Sequence, residues 1–242
     1  MPNSLIFNNI EDLSKRLSED LLSSVASKAQ QGGAFHMALS GGNTPRKLFK
    51  MLADDYNKRI NWGAVQFWWG DERCVPADDP ESNFGSARET LLSWIDMPEV
   101  NIHPMLGETD PEVEAVRYAK ELKSMLPLNQ EGVPVFDWIL LGIGSDGHTA
   151  SLFPSDLPLD YKAVTLASRN PRTGQRRISL GATVICSALK VSIMASGSSK
   201  AGVVERVFKK SAEAESYPIF QITRECEHAE WLLDREAASG LV

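Results

Sequence analysis

The chain has 242 residues, of which 43% are hydrophobic and 24% charged, enough for a buried core and far from the composition of a disordered segment. A formal net charge of −7 excludes a general nucleic-acid or anionic-membrane binder, so any anion must be held by a local cluster of donors. The three cysteines, Cys74, Cys186 and Cys226, show neither CxxC nor Cys/His ligand spacing, which speaks against a zinc site or disulfide framework and for free thiols in a reducing compartment.

The N-terminal residues hold no basic stretch followed by an apolar run. No window reaches the ~18 uninterrupted apolar residues that a membrane span requires, so a cytoplasmic protein is expected. The first periodic segment runs from Ile10 to Gln30, where Leu13, Leu17, Leu21, Val25 and Ala29 recur every fourth residue and predict a helix with one apolar face. Gly32-Gly33 ends it. Ala34 to Leu39 reads as a buried strand that breaks into Ser40-Gly41-Gly42-Asn43-Thr44-Pro45. A second helix is predicted near Pro45, with Thr44 fitting the N-cap and Leu48, Phe49 and Leu52 turned inward. Val65 to Trp69 is a predicted strand, followed by a polar loop from Gly70 to about Ser82 and a helix over Phe84 to Trp94. Glu112 to Leu126 has a helical pattern, and Phe136 to Leu141 is a buried strand running into Gly142-Ile143-Gly144-Ser145-Asp146-Gly147-His148. Later strands are predicted at Ala163–Leu166, Arg177–Leu180 and Val191–Ala195, and a helix from about Ser198 to Lys209. The chain closes on Trp231-Leu232-Leu233-Asp234 and a short Ala-rich tail.

Strands alternating with helices predict an α/β fold: one domain over residues 1–242, with a mostly parallel, Rossmann-like sheet covered by helices on both faces. Ligands of such sheets lie beyond the C-terminal ends of the strands, where loops 40–45, 70–75 and 142–149 stand.

In the first loop, Ser40, Gly41, Gly42 and Thr44 lie between a strand and a helix N-terminus, a place where unpaired N–H groups and the helix dipole attract an anion. A well-capped turn would use the same residues. In the second, Gly70-Asp71-Glu72-Arg73 offers a guanidinium to grip an anion and a carboxylate to orient a partner, although a local ion pair would need no more. In the third, Gly142, Gly144 and Gly147 match GxGxxG, but Pro154 interrupts early and no acid ends a clear second strand ~20 residues on. What this loop does carry is Asp146-Gly147-His148: a histidine able to act as general base near neutral pH, with a carboxylate to fix its tautomer. His36 is expected to be packed inside a strand, His103 precedes a proline, and His228 lies in a polar stretch. Lys200 of Gly197-Ser198-Ser199-Lys200 falls in the first turn of a helix, where a cation opposes the dipole unless an anion is bound. No GxSxG elbow and no metal-ligand cluster is present in the sequence.

With these loops in this order the chain resembles the 6-phosphogluconolactonase family. The matching stretches are Ser40-Gly41-Gly42-x-Thr44-Pro45, Asp71-Glu72-Arg73, Ser82-Asn83 and the run LGIGSDGHTASLFP from Leu141 to Pro154. RISL from Arg177, GSSKA from Gly197 and WLLD from Trp231 match more weakly. The segment from Asn170 to Arg176 fits the family's Pro-rich pattern loosely, which leaves the roles of Arg169, Arg172 and Arg177 open. The resemblance implies the fold shared by glucosamine-6-phosphate deaminase, ribose-5-phosphate isomerase and CoA transferases. It also implies metal-independent hydrolysis of a sugar-phosphate lactone in the oxidative pentose phosphate pathway, with no cofactor and no nucleic-acid or membrane partner, by a monomer or small homo-oligomer. The roles it implies are His148 as base with Asp146 holding it, and Ser40, Gly41, Gly42, Thr44, Asp71, Arg73, Arg177 and Lys200 around the substrate and its phosphate. Two alternatives stand beside it, a deaminase-like isomerase and a non-catalytic sugar-phosphate sensor. The run from Thr149 to Pro154 lacks the carboxylate that follows the deaminase's DGH, and the retained Asp146, His148 and Arg73 favour an enzyme over a sensor.

Overall fold

The computed structural model describes residues 2–241. It opens with a strand outside the sequence expectation, β1 (Asn3–Phe7), half-buried at a sheet edge and so without a full apolar run. Helix α1 (Ile10–Gln30) has the expected bounds and buries Leu13, Leu17, Leu21 and Val25. Its N-cap is Asn9, whose side chain accepts from the Asp12 N–H at 2.8 Å. Gly32, at φ 73°, lets the chain turn back so that the Gly33 N–H reaches the Lys28 carbonyl.

Strand β2 (Phe35–Leu39) leads into α2 (Asn43–Met51), which begins before Pro45, with Gly42 and not Thr44 at the N-cap. The positive φ of Gly42, 103°, turns the chain straight into the helix. After β3 (Val65–Trp69) the expected polar loop holds a short strand, β4 (Asp71–Arg73). Helix α3 (Asn83–Thr90) stops short of Trp94, because Leu91 at φ −133° leaves the helical region and a separate single turn, Leu92–Trp94, follows. Then come β5 (Ile102–His103), α4 (Pro111–Met125, N-capped by Asp110) and β6 (Trp138–Leu141). Strand β7 (Thr165–Arg169) lies later than expected, and β8 is Arg176–Leu180. The remaining elements are α5 (Ala182–Ser187), β9 (Val191–Ala195), α6 (Ala201–Phe208), α7 (Pro218–Glu225) and β10 (Ala229–Asp234).

Among the described residues, seven strands form one parallel sheet in the order β1-β10-β9-β6-β2-β3-β5. Every residue of β2, β6 and β9 is buried; since neighbouring side chains point to opposite faces, both faces of the sheet are covered. From β2 the chain steps outward to β3 and β5, then returns to the other side of β2 as β6. The loops after β2 and β6 therefore diverge and leave a crevice at the strands' C-terminal ends. Strands β4, β8 and β7 make a second, antiparallel sheet in which Arg73 faces Arg177.

The expectation of three free thiols is corrected: Cys186 of α5 and Cys226 after α7 form a disulfide, and Cys74 alone is free. They are 40 residues apart in sequence, and packing of α7 beside α5 brings them together. Among the described residues, no helix is long and apolar enough to cross a membrane.

Candidate active site

A cavity of about 430 Å³ occupies the crevice, lined by the loops after β2, β4, β6 and β9 and by the β7–β8 hairpin. Its first wall is the turn from Ser40 to Thr44. No side chain caps α2 at Gly42, so the opening of that helix presents backbone N–H groups to the cavity. Gly41 is required by close approach: a Cβ there would lie 1.7 Å from Asn83 Oδ1.

Asn83 opens α3, and its Nδ2 donates to the Asp71 carbonyl (2.9 Å) and Oδ1 (3.3 Å). Asp71 is buried and lines the cavity; its Oδ2 accepts from Ser151 Oγ at 2.7 Å. Glu72 points the other way. It is 1% exposed and accepts the N–H groups of Arg73, Asn83 and Phe84, each at 2.7 Å, together with the Ser82 hydroxyl. Burial pushes its carboxyl above the ordinary range against the pull of those backbone bonds. Glu72 is therefore the clamp that starts α3 and sets Asn83 against Gly41.

Arg73 and Arg177, register partners across β4 and β8, both line the cavity. Each has a buried Nε that finds no hydrogen-bond partner among the described residues. Burial first, and the Arg73 charge next, lower the Arg177 guanidinium from its usual value. Two adjacent cations with unmet donors make a strong anion site, because a buried donor left unpaired costs about 1–3 kcal/mol.

The loop after β6 carries the Asp146–His148 pair. Asp146 Oδ1 lies 2.5 Å from His148 Nδ1, and that bond, working against burial, holds the Asp146 carboxyl down at about 2. An ionised Asp146 requires the proton on Nδ1, so in the neutral ring, which lines the cavity, Nε2 keeps its lone pair free. The loop is rigid. Gly144 N–H donates to the His148 carbonyl, Gly147 N–H to that of Gly144, and Thr149 Oγ1 to that of Gly142. A Cβ on Gly144 would fall 2.0 Å from His148 Nδ1, and one on Gly147 (φ 79°) would fall 2.2 Å from the Tyr217 ring.

Lys200, at the N-cap of α6, lines the cavity and donates from Nζ to the Ile143 carbonyl at 2.7 Å; burial lowers its ammonium and Asp146 partly offsets this. Its loop is held by Asp234, 4% exposed, which accepts from Ser196 Oγ, Gly197 N and Ala237 N.

The structure thus gathers Ser40, Gly41, Gly42, Thr44, Asp71, Arg73, His148, Arg177 and Lys200 around one cavity, with Asp146 directly behind His148. His36 and His103 are buried away from it, and His228 is exposed. The sequence reading assigned no role to Asn83, Asn170, Ser196 or Ser199, all of which line the cavity, nor to Asp234 beneath it. The Ser82-Asn83 pair and the end of WLLD were the available signals; neither says where its side chain reaches.

The family model described as glucosamine-6-phosphate isomerases/6-phosphogluconolactonase matches residues 8–231. Over 203 residues the chain is 42% identical to a 6-phosphogluconolactonase of Haemophilus influenzae, covering 84% of this chain and 85% of that one. It superimposes on the crystal structure of the devB protein with a TM-score of 0.92 at 43% identity, over 100% of both chains. On the 6-phosphogluconolactonase of Trypanosoma brucei the TM-score is 0.87 at 33% identity, over 100% of this chain and 99% of that one.

Proposed function

The chain belongs to the family of glucosamine-6-phosphate isomerases and 6-phosphogluconolactonases, and we propose that it hydrolyses 6-phosphoglucono-1,5-lactone to 6-phosphogluconate in the oxidative pentose phosphate pathway. The observation that carries the reading is His148 with Nδ1 held by an ionised Asp146 and its ring on a cavity rich in anion donors. The substrate is a neutral lactone ring with a phosphate at its far end. The N–H groups of the Gly41–Thr44 turn hold the phosphate, with cations drawn from Arg73, Arg177 and Lys200, and this anchoring converts binding energy into orientation of the lactone carbonyl.

His148 Nε2 takes a proton from a water molecule as that water attacks the lactone carbonyl carbon. The tetrahedral oxyanion then collapses, the bond to the ring oxygen breaks, and the imidazolium returns its proton to that oxygen. Asp146 keeps the ring in the competent tautomer and steadies the transient cation. The amides of Gly144 and Gly147 are spent inside the loop, so the oxyanion takes its hydrogen bonds from other donors at the cavity wall. Lactones open unaided, and one general base, worth roughly 10²–10⁴ in rate, supplies much of the required acceleration. No carboxylate stands between Thr149 and Pro154, which disfavours a deaminase-like ring opening. A phosphorylated substrate does not cross bilayers, and the cytoplasm is the compartment we assign, although the Cys186–Cys226 bond is unusual there.

The test generates the lactone in place with glucose-6-phosphate dehydrogenase and follows its loss. Acceleration by the wild-type chain, abolished in His148→Asn, supports both activity and base; no acceleration overturns the activity, and a fully active variant overturns the base.

A further inference from the structure

The β7–β8 hairpin touches both banks of the cavity. Its turn is organised by Asn170, whose Oδ1 accepts the N–H groups of Arg172 and Thr173 and whose carbonyl accepts that of Gly174. On one bank Gln175 Nε2 donates to Glu81 Oε2 at 2.9 Å, and the Glu81 carbonyl accepts from Arg73. On the other bank Arg172 Nε stands 3.9 Å from Asp146 Oδ2, the oxygen not engaged by His148. Among the described residues, Asp146 is the only carboxylate within salt-bridge distance of that guanidinium.

Other charged and polar groups around the pair are accounted for. Lys200 is tied to the Ile143 carbonyl. Tyr217, packed on Gly147, donates its hydroxyl to Glu213, which also pairs with Arg206. Phe153 presents an uncharged ring, with its centroid 5.0 Å from that of His148. Asp71, Arg73 and Arg177 approach the cavity from the small sheet. Lys200 also acts on Asp146 through its charge, but apart from His148 it is Arg172 that stands within salt-bridge distance of the carboxylate among the described residues.

We propose that Arg172 is a positioning residue for the hydrolysis: its guanidinium beside Asp146 Oδ2 offsets part of the carboxylate's charge, so that the carboxylate grips the imidazolium of His148 less tightly. The proposal rests on the lactonase reading for its kinetic consequence alone; the electrostatic coupling to His148 is a property of the resting protein. Arg172 is 67% exposed, so water and salt screen it and the effect is modest.

The experiment titrates the His148 ring by NMR in wild type, Arg172→Gln and Arg172→Lys, with the resonance assigned by its loss in His148→Asn. kcat/KM is then measured against pH at low salt and at about 0.5 M salt, where the Debye length is only a few ångströms. In Arg172→Gln the ring's titration curve and the acid limb of kcat/KM are both expected to move up by a few tenths of a pH unit, the size an exposed ion pair supports. Arg172→Lys retains the wild-type curves, and high salt closes the gap. A His148 curve unchanged in Arg172→Gln overturns the proposal. So does a loss of activity equal at every pH, because that is what a mere scaffold for the hairpin would produce. Should wild type fail to accelerate lactone loss while the curve still moves, the lactonase reading falls and the coupling stands.

Discussion

Burial alone would raise the Asp146 carboxyl, yet the bond to His148 Nδ1 outweighs it and brings the group down to about 2. Asp146 is thus ionised near neutral pH, and in the proposed reaction its contribution is to hold one tautomer of His148 rather than to exchange protons. Asp146→Asn is expected to lower kcat by roughly 10²–10³ with KM little changed, because the amide no longer demands the proton on Nδ1. Steady-state kinetics beside a thermal melt separate this from unfolding; a kcat within a few-fold of wild type would remove Asp146 from the scheme. Around this pair the glycines act by leaving space, as at Gly144, where any Cβ would displace the imidazole itself.

The start of α3 shows how a buried carboxylate can serve the site without facing it. Glu72 takes three backbone N–H groups and one hydroxyl, and through them sets the Asn83 side chain against Gly41 and Asp71. Glu72→Gln turns one accepting oxygen into a donor that faces N–H groups. Stability in urea should fall by about 2–4 kcal/mol, since a buried charged acceptor is lost and its donors are left unmet. KM for the lactone should rise as well, because Asn83 no longer braces the Gly41 turn. A variant as stable as wild type would show that water replaces the carboxylate.

Across the whole molecule, a buried histidine and a disulfide govern the response to conditions. His36 is 7% exposed and accepts from Trp68 Nε1 through Nδ1, a bond that requires a neutral ring. Burial lowers its titration from 6.5 to about 4. The unfolded chain therefore binds a proton that the folded chain refuses in that window. This stability is complete above 6.5 and is lost as pH falls toward 4, by roughly 3 kcal/mol. Urea titrations at successive pH values check it: His36→Gln should show a shallower acid decline, and an identical decline would refute the assignment. The Cys186–Cys226 bond closes a 40-residue separation, so reduction should cost about 2–4 kcal/mol by loss of constraint on the unfolded chain. A melting midpoint indifferent to reductant would mean that the bond does not form in the isolated protein.

The sequence by itself determined whatever is written in local periodicity: the buried face of α1, the strands β3 and β9 to their last residue, and the Gly-rich loops placed at strand ends. A helix repeats near every fourth residue and a buried strand is a short apolar run, so neighbouring residues suffice to reveal both. The candidate site was legible to the same degree, because Ser40 to Thr44, Arg73, Asp146 and His148 each stand beside a recognisable strand or glycine. Only the tertiary structure decided the rest. β4 is three residues long and exists because β8 pairs with it, and Asn83 reaches Gly41 because Glu72 anchors the start of its helix. Cys186 meets Cys226, and Arg172 meets Asp146, only after the sheets have formed. Such contacts depend on which distant segments close on one another, and no local period encodes that choice.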